Sequence, residues 1–235
     1  MTSRQLLSQT RRAIDDFGMI NDGDMIAIGV SGGKDSLSLL YAMKQLSRFY
    51  PHPFQIHAVT VDLGFGNLDL EQIAAYCEDL EVPYHIAETQ IAEIVFNQRQ
   101  ESNPCSLCAK MRKGAFNQFV KELGCNKTAF GHHKDDLVQT MLMSLIFEGR
   151  FHTFEPVTVL DRSGLTLIRP FIYINEADIK GFINKYQITP LKNPCPADGN
   201  TSRQQIAELL SSLNRTYPGV KDRMFTAIMN QLIPH

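Results

Sequence analysis

The sequence predicts an α/β fold, a parallel sheet with helices on both faces, and three observations carry that prediction. Short β-branched apolar runs alternate with helical stripes of 12 or more residues. That is the pattern of βαβ units, whose right-handed crossovers place helices on either side of a sheet. The strongest run, 25–30, leads at once into a glycine pair and a helix. No repeat, low-complexity tract or Gly/Ser/Pro linker divides the chain, so residues 1–235 read as one domain with an N-terminal helix over 1–18 and a helical segment over about 200–235.

Taken in order, Leu6, Leu7, Ile14 and Phe17 recur near the 3.6-residue period and stop at Gly18. Asn21, Asp22, Gly23 and Asp24 then signal a turn before the run 25–30, a buried strand. Leu37, Leu39, Leu40, Met43 and Leu46 stripe a helix over 35–48. The alternation continues with a strand at 56–61, a helix at 69–81, a strand at 83–87, a helix at 108–123, a strand at 127–130 and a helix at 134–148. A strand at 165–168 and a helix at 175–186, with Asn175 as N-cap and acidic Glu176 in its first turn, complete the pattern. Cys77 lies on its helix's apolar stripe and Cys125 ends a helix beside a strand, so both are expected to be buried structural thiols.

Composition narrows the function. Hydrophobic residues at 43% and charged residues at 20% exclude a disordered protein. A net charge of −2 excludes a globally basic nucleic-acid coat, while leaving room for a local basic face. No apolar run approaches the roughly 18 residues that span a bilayer, and the arginines near the N-terminus precede no apolar signal core. The five cysteines are therefore expected in a reducing cytoplasm, where short spacing points to metal or redox chemistry.

Ser31, Gly32, Gly33, Lys34, Asp35 and Ser36 lie between the strongest strand and a clear helix. A helix start at a strand's carboxyl end offers unpaired N–H groups and a positive dipole end to an anion. Glycines admit phosphate oxygens to the backbone, Ser31 and Ser36 add hydroxyls, and Lys34 adds charge. A Walker A loop fails on spacing, because Lys34 is followed by Asp and no glycine lies five positions before it; the GxGxxG fingerprint is absent as well. These residues resemble the PP-loop of the ATP pyrophosphatase superfamily, with its adenine nucleotide alpha hydrolase-like fold. That resemblance implies binding of the β,γ-diphosphate here and attack of a nucleophile on the α-phosphate.

Cys105 and Cys108 form a CxxC ahead of Lys110, Arg112 and Lys113, and the helix start with these cations is expected to favour thiolate. Cys195, between Pro194 and Pro196, is a third candidate ligand. From the residues alone, three readings stay open: a structural zinc with a histidine, His132 or His133, as fourth ligand; a redox pair; and an iron–sulfur cluster with three protein ligands. Gly131, His132, His133, Lys134, Asp135 and Asp136 open another helix after a strand, and in a parallel sheet such ends share one edge. Asp135 and Asp136 are candidate Mg²⁺ ligands, the alternative being an acidic pair at a helix N-terminus. Asp62 follows the run 56–61 and joins His132 among the candidate nucleotide contacts.

The four motifs in this order, SGGKDS, PCSLCAKMRKGAF, GHHKDD and LKNPC, resemble the TtcA/TtuA group of PP-loop tRNA thiolases over roughly residues 20–205, most nearly its 2-thiocytidine branch. The resemblance implies a [4Fe–4S] cluster held by Cys105, Cys108 and Cys195 in place of the zinc and redox readings. It also implies an ATP- and Mg²⁺-dependent sulfurtransferase in which Lys34 and Asp35 serve catalysis with the three cysteines. The substrate implied is a tRNA cytidine whose C2 oxygen is replaced by sulfur. Inorganic sulfide or a cysteine-desulfurase-type partner is the implied sulfur donor, and a homodimer the implied assembly. Three departures stand: Asp198 where relatives often carry a further cysteine, no flanking CxxC ribbons of the 2-thiouridine kind, and shorter ends than many members. The alternatives are a tRNA uridine or small-molecule acceptor, or a non-catalytic nucleotide- or RNA-binding module with structural zinc. Between Arg99 and Lys127, six Lys/Arg (99, 110, 112, 113, 121 and 127) face Glu101 and Glu122, a local +4 that Arg203, Arg215, Lys221 and Arg223 extend as a possible RNA-backbone patch.

Overall fold

The turn at Asn21–Asp24 launches the central strand, and the architecture follows from it. The computed structural model describes residues 1–66, 68–99, 104–192, 195 and 202–232. Helix α1 (Ser3–Asp16) starts from a capping box between Thr2 and Gln5 and ends before Gly18, which adopts φ +53°. Then β1 (Asp24–Gly29), α2 (Lys34–Ser47), β2 (Phe54–Asp62), α3 (Leu70–Asp79) and β3 (Tyr84–Glu88) follow. After a π-helical turn at Glu93–Gln98 come α4 (Pro104–Glu122), β4 (Lys127–Ala129) and α5 (Lys134–Met143), which runs into a second π turn at Ser144–Glu148. Strands β5 (Val157–Leu160) and β6 (Leu165–Ile168) and helices α6 (Glu176–Tyr186), α7 (Ser202–Thr216) and α8 (Val220–Leu232) complete the order.

The six strands lie in the order β3-β2-β1-β4-β6-β5. All neighbours are parallel except the edge pair β5–β6, a hairpin pairing Val157 with Ile168 and Leu160 with Leu165. The parallel sheet expected from sequence is thus present across five strands, with β5 added antiparallel at one edge. A four-residue strand after Pro156 is too short to declare its period, and its partner follows after a tight turn at Gly164, where φ is +71°. Helix α4 begins at Pro104 rather than at 108; proline suits the first helical position because its missing N–H has no intrahelical partner there.

Alternation along the strands sorts the core into two layers. Ile26 and Ile28 of β1, with Ile56 and Ala58 of β2, face the larger cluster, which takes in α1, α2, α3, α5, α6, α7 and α8. Ala27 and Val59 face the other side, which α4 covers with Phe116 and Val120. Burying a Leu, Ile or Phe contributes about 1.5–3 kcal/mol, and α2 commits Leu37, Leu39, Leu40, Met43 and Leu46 to the larger layer. That anchoring holds the start of α2 at the carboxyl edge of β1. Cys77 and Cys125 are buried in these layers, and burial pushes the Cys77 thiol up to about 12, leaving an inert group.

Candidate active site

The carboxyl ends of β1, β2, β4 and β6 open onto one cavity of about 590 Å³. Its first wall is the loop after β1. Gly33 is the N-cap of α2 with no side-chain capping bond, so the first-turn N–H groups face outward as an anion site. The serines shape the loop: Ser36 Oγ donates to the Gly33 carbonyl (2.9 Å) and accepts from the Ser31 amide (3.2 Å). Gly32 has φ +76°, and a Cβ there would lie 2.7 Å from Leu191 Cδ1. The Leu191 amide donates to the Gly32 carbonyl at 2.8 Å, so the chain at Leu191 is docked on the phosphate loop.

Lys34, expected to supply the phosphate charge, points its Nζ to Asp35 Oδ2 (2.9 Å) and Glu176 Oε1 (3.1 Å). Burial lowers the lysine's pKa, but the two carboxylates outweigh it and leave it raised. Asp35 lines the cavity, and its Oδ1 is buried without a hydrogen-bond partner among the described residues. Gly131 brings β4's end against this loop: a Cβ on it would lie 2.9 Å from the Asp35 carbonyl oxygen. Opposite, Asp62 ends β2, lines the cavity, and accepts the Gly64 amide on Oδ1 (2.9 Å).

The start of α5 departs from its expected use. His133, considered as a zinc ligand, is the N-cap of α5: its Nδ1 accepts the Asp136 amide, and its own amide donates to Asp136 Oδ2. Both oxygens of Asp135 are engaged, Oδ1 by Lys221 Nζ (2.7 Å) and Oδ2 by the Glu176 amide (2.8 Å). Asp136 Oδ1 accepts from Arg203 Nη1 at 2.9 Å. The proposed Mg²⁺ pair is thus tied into ion pairs with α7 and α8, and of the two only Asp136 lines the cavity. His132 does line it, and burial, followed by the Arg169 charge, pulls its pKa down to about 4, so the ring is neutral at pH 7.

Cys105 and Cys108 lie three residues apart on the first turns of α4, hence on one face; Cys105 is exposed and Cys108 half-buried. The Cys108 thiol is raised rather than lowered: burial dominates, Arg112 opposes it, and Cys195 and Cys105 add to the rise. For Cys108 the expected thiolate preference is corrected accordingly. The same interaction places Cys195 within electrostatic reach of Cys108. Among the described residues no three His, Cys, Asp or Glu side chains sit close enough to hold a metal ion as they stand. Asn193, Pro194, Pro196 and Asp198 lie outside the described residues. The donor chemistry itself, two thiols on one helix start together with the thiol of Cys195, suits a soft iron–sulfur centre.

Ala109, Arg112, Lys113, Phe116 and Asn117 of α4 form the far wall of the same cavity. Lys127 leaves the expected basic patch, being buried against Asp24 at 2.7 Å, and Arg203 and Lys221 are paired with Asp136 and Asp135. Three site residues escaped the sequence reading. Glu176 was read only as a helix-start charge, and Phe154 carried no signal. Arg169 had one: a lone cation directly after an apolar strand at the shared edge.

A parallel sheet carrying a glycine–serine–lysine loop at its switch-point edge defines a nucleotide-phosphate-binding protein of the PP-loop class. The PP-loop domain family matches residues 4–213. The chain is 35% identical over 97% of its length to the tRNA-cytidine(32) 2-sulfurtransferase of Pelobacter propionicus, covering 86% of that protein. It is 34% identical to the enzyme of the same name from Geobacter sulfurreducens, covering 97% of this chain and 90% of that one. The chain belongs to this PP-loop tRNA-cytidine(32) 2-sulfurtransferase family. In fold it is similar to the U34-tRNA thiolase NcsA from Methanococcus maripaludis with its [4Fe-4S] cluster (TM-score 0.77, 22% identity, 98% of this chain and 80% of that chain). It is also similar to the NH3-dependent NAD synthetase of Campylobacter jejuni (TM-score 0.53, 16% identity, 98% and 94%).

Proposed function

We propose that this protein is an ATP-dependent tRNA sulfurtransferase that converts a tRNA cytidine to 2-thiocytidine. One observation carries the reading: a single cavity has the phosphate loop on one wall and the cysteine-bearing helix on the other. Activation and sulfur transfer therefore share one reacting carbon. Relatives at 34–35% identity named for that reaction support it.

In this mechanism the open amides of Gly33 and the first turn of α2 take the β,γ-diphosphate, with Lys34 moving from Glu176 to phosphate. Asp35, whose Oδ1 has no hydrogen-bond partner among the described residues and lies 3.7 Å from His133 Nε2, and Asp136 would hold Mg²⁺. Asp135, which does not line the cavity, keeps a structural role. The cytidine O2 attacks the α-phosphorus, the new P–O bond forms, and pyrophosphate leaves with the bonding pair. A sulfide-level nucleophile then bonds to C2, and the C2–O bond breaks as AMP departs with the oxygen. This is positioning and charge neutralisation more than covalent work by side chains. A [4Fe–4S] cluster bound by Cys105, Cys108 and Cys195 would supply an iron site free of protein ligands, suited to carrying sulfur. The sulfur comes from inorganic sulfide or a cysteine-desulfurase-type donor. The exposed run of Leu145, Ile146, Phe147 and Phe151 supports a homodimer. The free cysteines fit the cytoplasm, and no helix among the described residues is long and apolar enough to cross a membrane.

The two halves of the site are separable by experiment. Lys34→Ala should lower tRNA-dependent pyrophosphate release by about 10²-fold or more while iron and sulfide content stay at the wild-type level. Cys108→Ser should do the reverse, losing iron and thiolation but keeping pyrophosphate release. Full thiolation by Lys34→Ala would sink the phosphate role.

A further inference from the structure

Arg169 follows β6 directly, lines the cavity, and is only 7% exposed. A buried guanidinium is costly unless its donors are used. Among the described residues they are used on one side only. Nη1 donates to the Glu155 carbonyl and to Thr158 Oγ1 (3.0 Å), and Cζ sits 4.7 Å from the centre of the Phe154 ring. Nε is buried with no partner among the described residues. The Nε–Nη2 edge of this anchored plane is therefore a two-donor fork without a bidentate acceptor.

A second orphan lies beside it. His132 Nδ1 is likewise buried without a partner among the described residues, and its ring lies 5.2 Å from the same Phe154. The aromatic contacts continue through Phe130, 6.0 Å from His132, to Phe116, 5.1 Å from Phe130. With Leu160 and Leu167 also lining the cavity, this end of it is apolar and aromatic. A phosphate would gain little from such walls, whereas a planar heterocycle gains stacking on its face.

We infer that Arg169 binds the acceptor edge of the target pyrimidine, its Nε–Nη2 fork donating to O2 and N3 of cytosine while His132 Nδ1 accepts from the 4-amino group. This rests on the sulfurtransferase reading above and adds a base-reading subsite to it. Cytosine presents two adjacent acceptors and then a donor. Uracil places an N–H at position 3, where it would meet a second donor. An unpaired buried donor is what makes hydrogen-bonding sites reject the wrong ligand strongly. The neutral state of His132 at pH 7, set by burial, keeps an acceptor available. Arg169 is thus a specificity-determining residue, and only one lone pair of O2 is occupied, leaving the other for attack on phosphorus.

The test is a double-mutant cycle between protein and RNA. Wild-type holoenzyme and Arg169→Lys are compared for pyrophosphate release on tRNA carrying cytidine or 3-deazacytidine at the modified position. Lysine can keep the bonds to Glu155 and Thr158 but has no fork. Wild type should lose about tenfold or more in kcat/KM on the 3-deaza RNA, and Arg169→Lys should lose as much on cytidine with under about twofold further loss on 3-deazacytidine. The ATP KM of the variant should stay within about twofold of wild type. Arg169→Gln, with melting curves alongside, serves if the lysine variant does not fold. Undiminished wild-type activity on the 3-deaza RNA overturns the inference without any variant. So do additive losses, or a defect confined to the ATP KM, which would make Arg169 a phosphate ligand. If wild type releases no pyrophosphate with cytidine RNA, the underlying reading fails first and takes the inference with it.

Discussion

Asp24 and Lys127 show how a single buried pair sets the frame. Their side chains are 5% and 8% exposed, 2.7 Å apart, and Lys127 also donates to the Met19 carbonyl. Burial raises the Asp24 pKa, but the Asn21 amide, Lys127 and Asn126 outweigh it and hold it below the ordinary value. A carboxylate depressed on folding contributes stability above its unfolded pKa and loses it as pH falls through the folded value. Asp24→Asn should cost about 3 kcal/mol at pH 7 by stranding Lys127, and the gap to wild type should narrow below about pH 4. A gap unchanged down to pH 2.5 in denaturant titrations would contradict this. Gly32 tests the loop in the same way. Its left-handed backbone costs about 1–2 kcal/mol with any Cβ, and here the Cβ also meets Leu191. Gly32→Ala should therefore raise the ATP KM at least about tenfold. Gly18→Ala, strained at φ +53° but with nothing within 4 Å, should destabilise without touching ATP. Equal effects on ATP binding would refute the packing argument.

At the scale of elements, three consecutive residues at the start of α5 reach out to the C-terminal helices. Lys134 pairs with Asp222 at 2.6 Å, Asp135 with Lys221 and Asp136 with Arg203. This clasp puts α7 and α8 against the cavity's edge. Lys221→Met leaves Asp135 without its cation and should destabilise by about 2 kcal/mol. Amide exchange should quicken most in 220–232, and adding Asp135→Asn should recover part of the loss. Uniform quickening across α2 and α8 would argue against a local clasp. The elements themselves were largely legible, because β1–α2 and β4–α5 carry strong local periods. The edge hairpin was not: Val157–Leu160 is four residues long and pairs antiparallel where the rest of the pattern is parallel. The phosphate loop was equally legible, being one contiguous segment. The partners of Lys34, Asp135 and Asp136 were not, since Glu176, Lys221 and Arg203 come from elements that only the tertiary fold brings back.

For the whole molecule, the proposed adenylation and sulfur delivery meet at two walls of one cavity, with Leu191 bonded to the phosphate loop. Protein prepared without oxygen should be brown, hold about four irons and four sulfides per chain, and bleach in air. Stoichiometric zinc with no sulfide would restore a structural-metal role for the cysteines. The most direct test of the central claim is nucleoside mass spectrometry of tRNA from cells lacking the gene, rescued with wild type or with Cys195→Ala. The account predicts that 2-thiocytidine disappears, returns with wild type, and does not return with Cys195→Ala. Unchanged 2-thiocytidine in the deletion strain would contradict it.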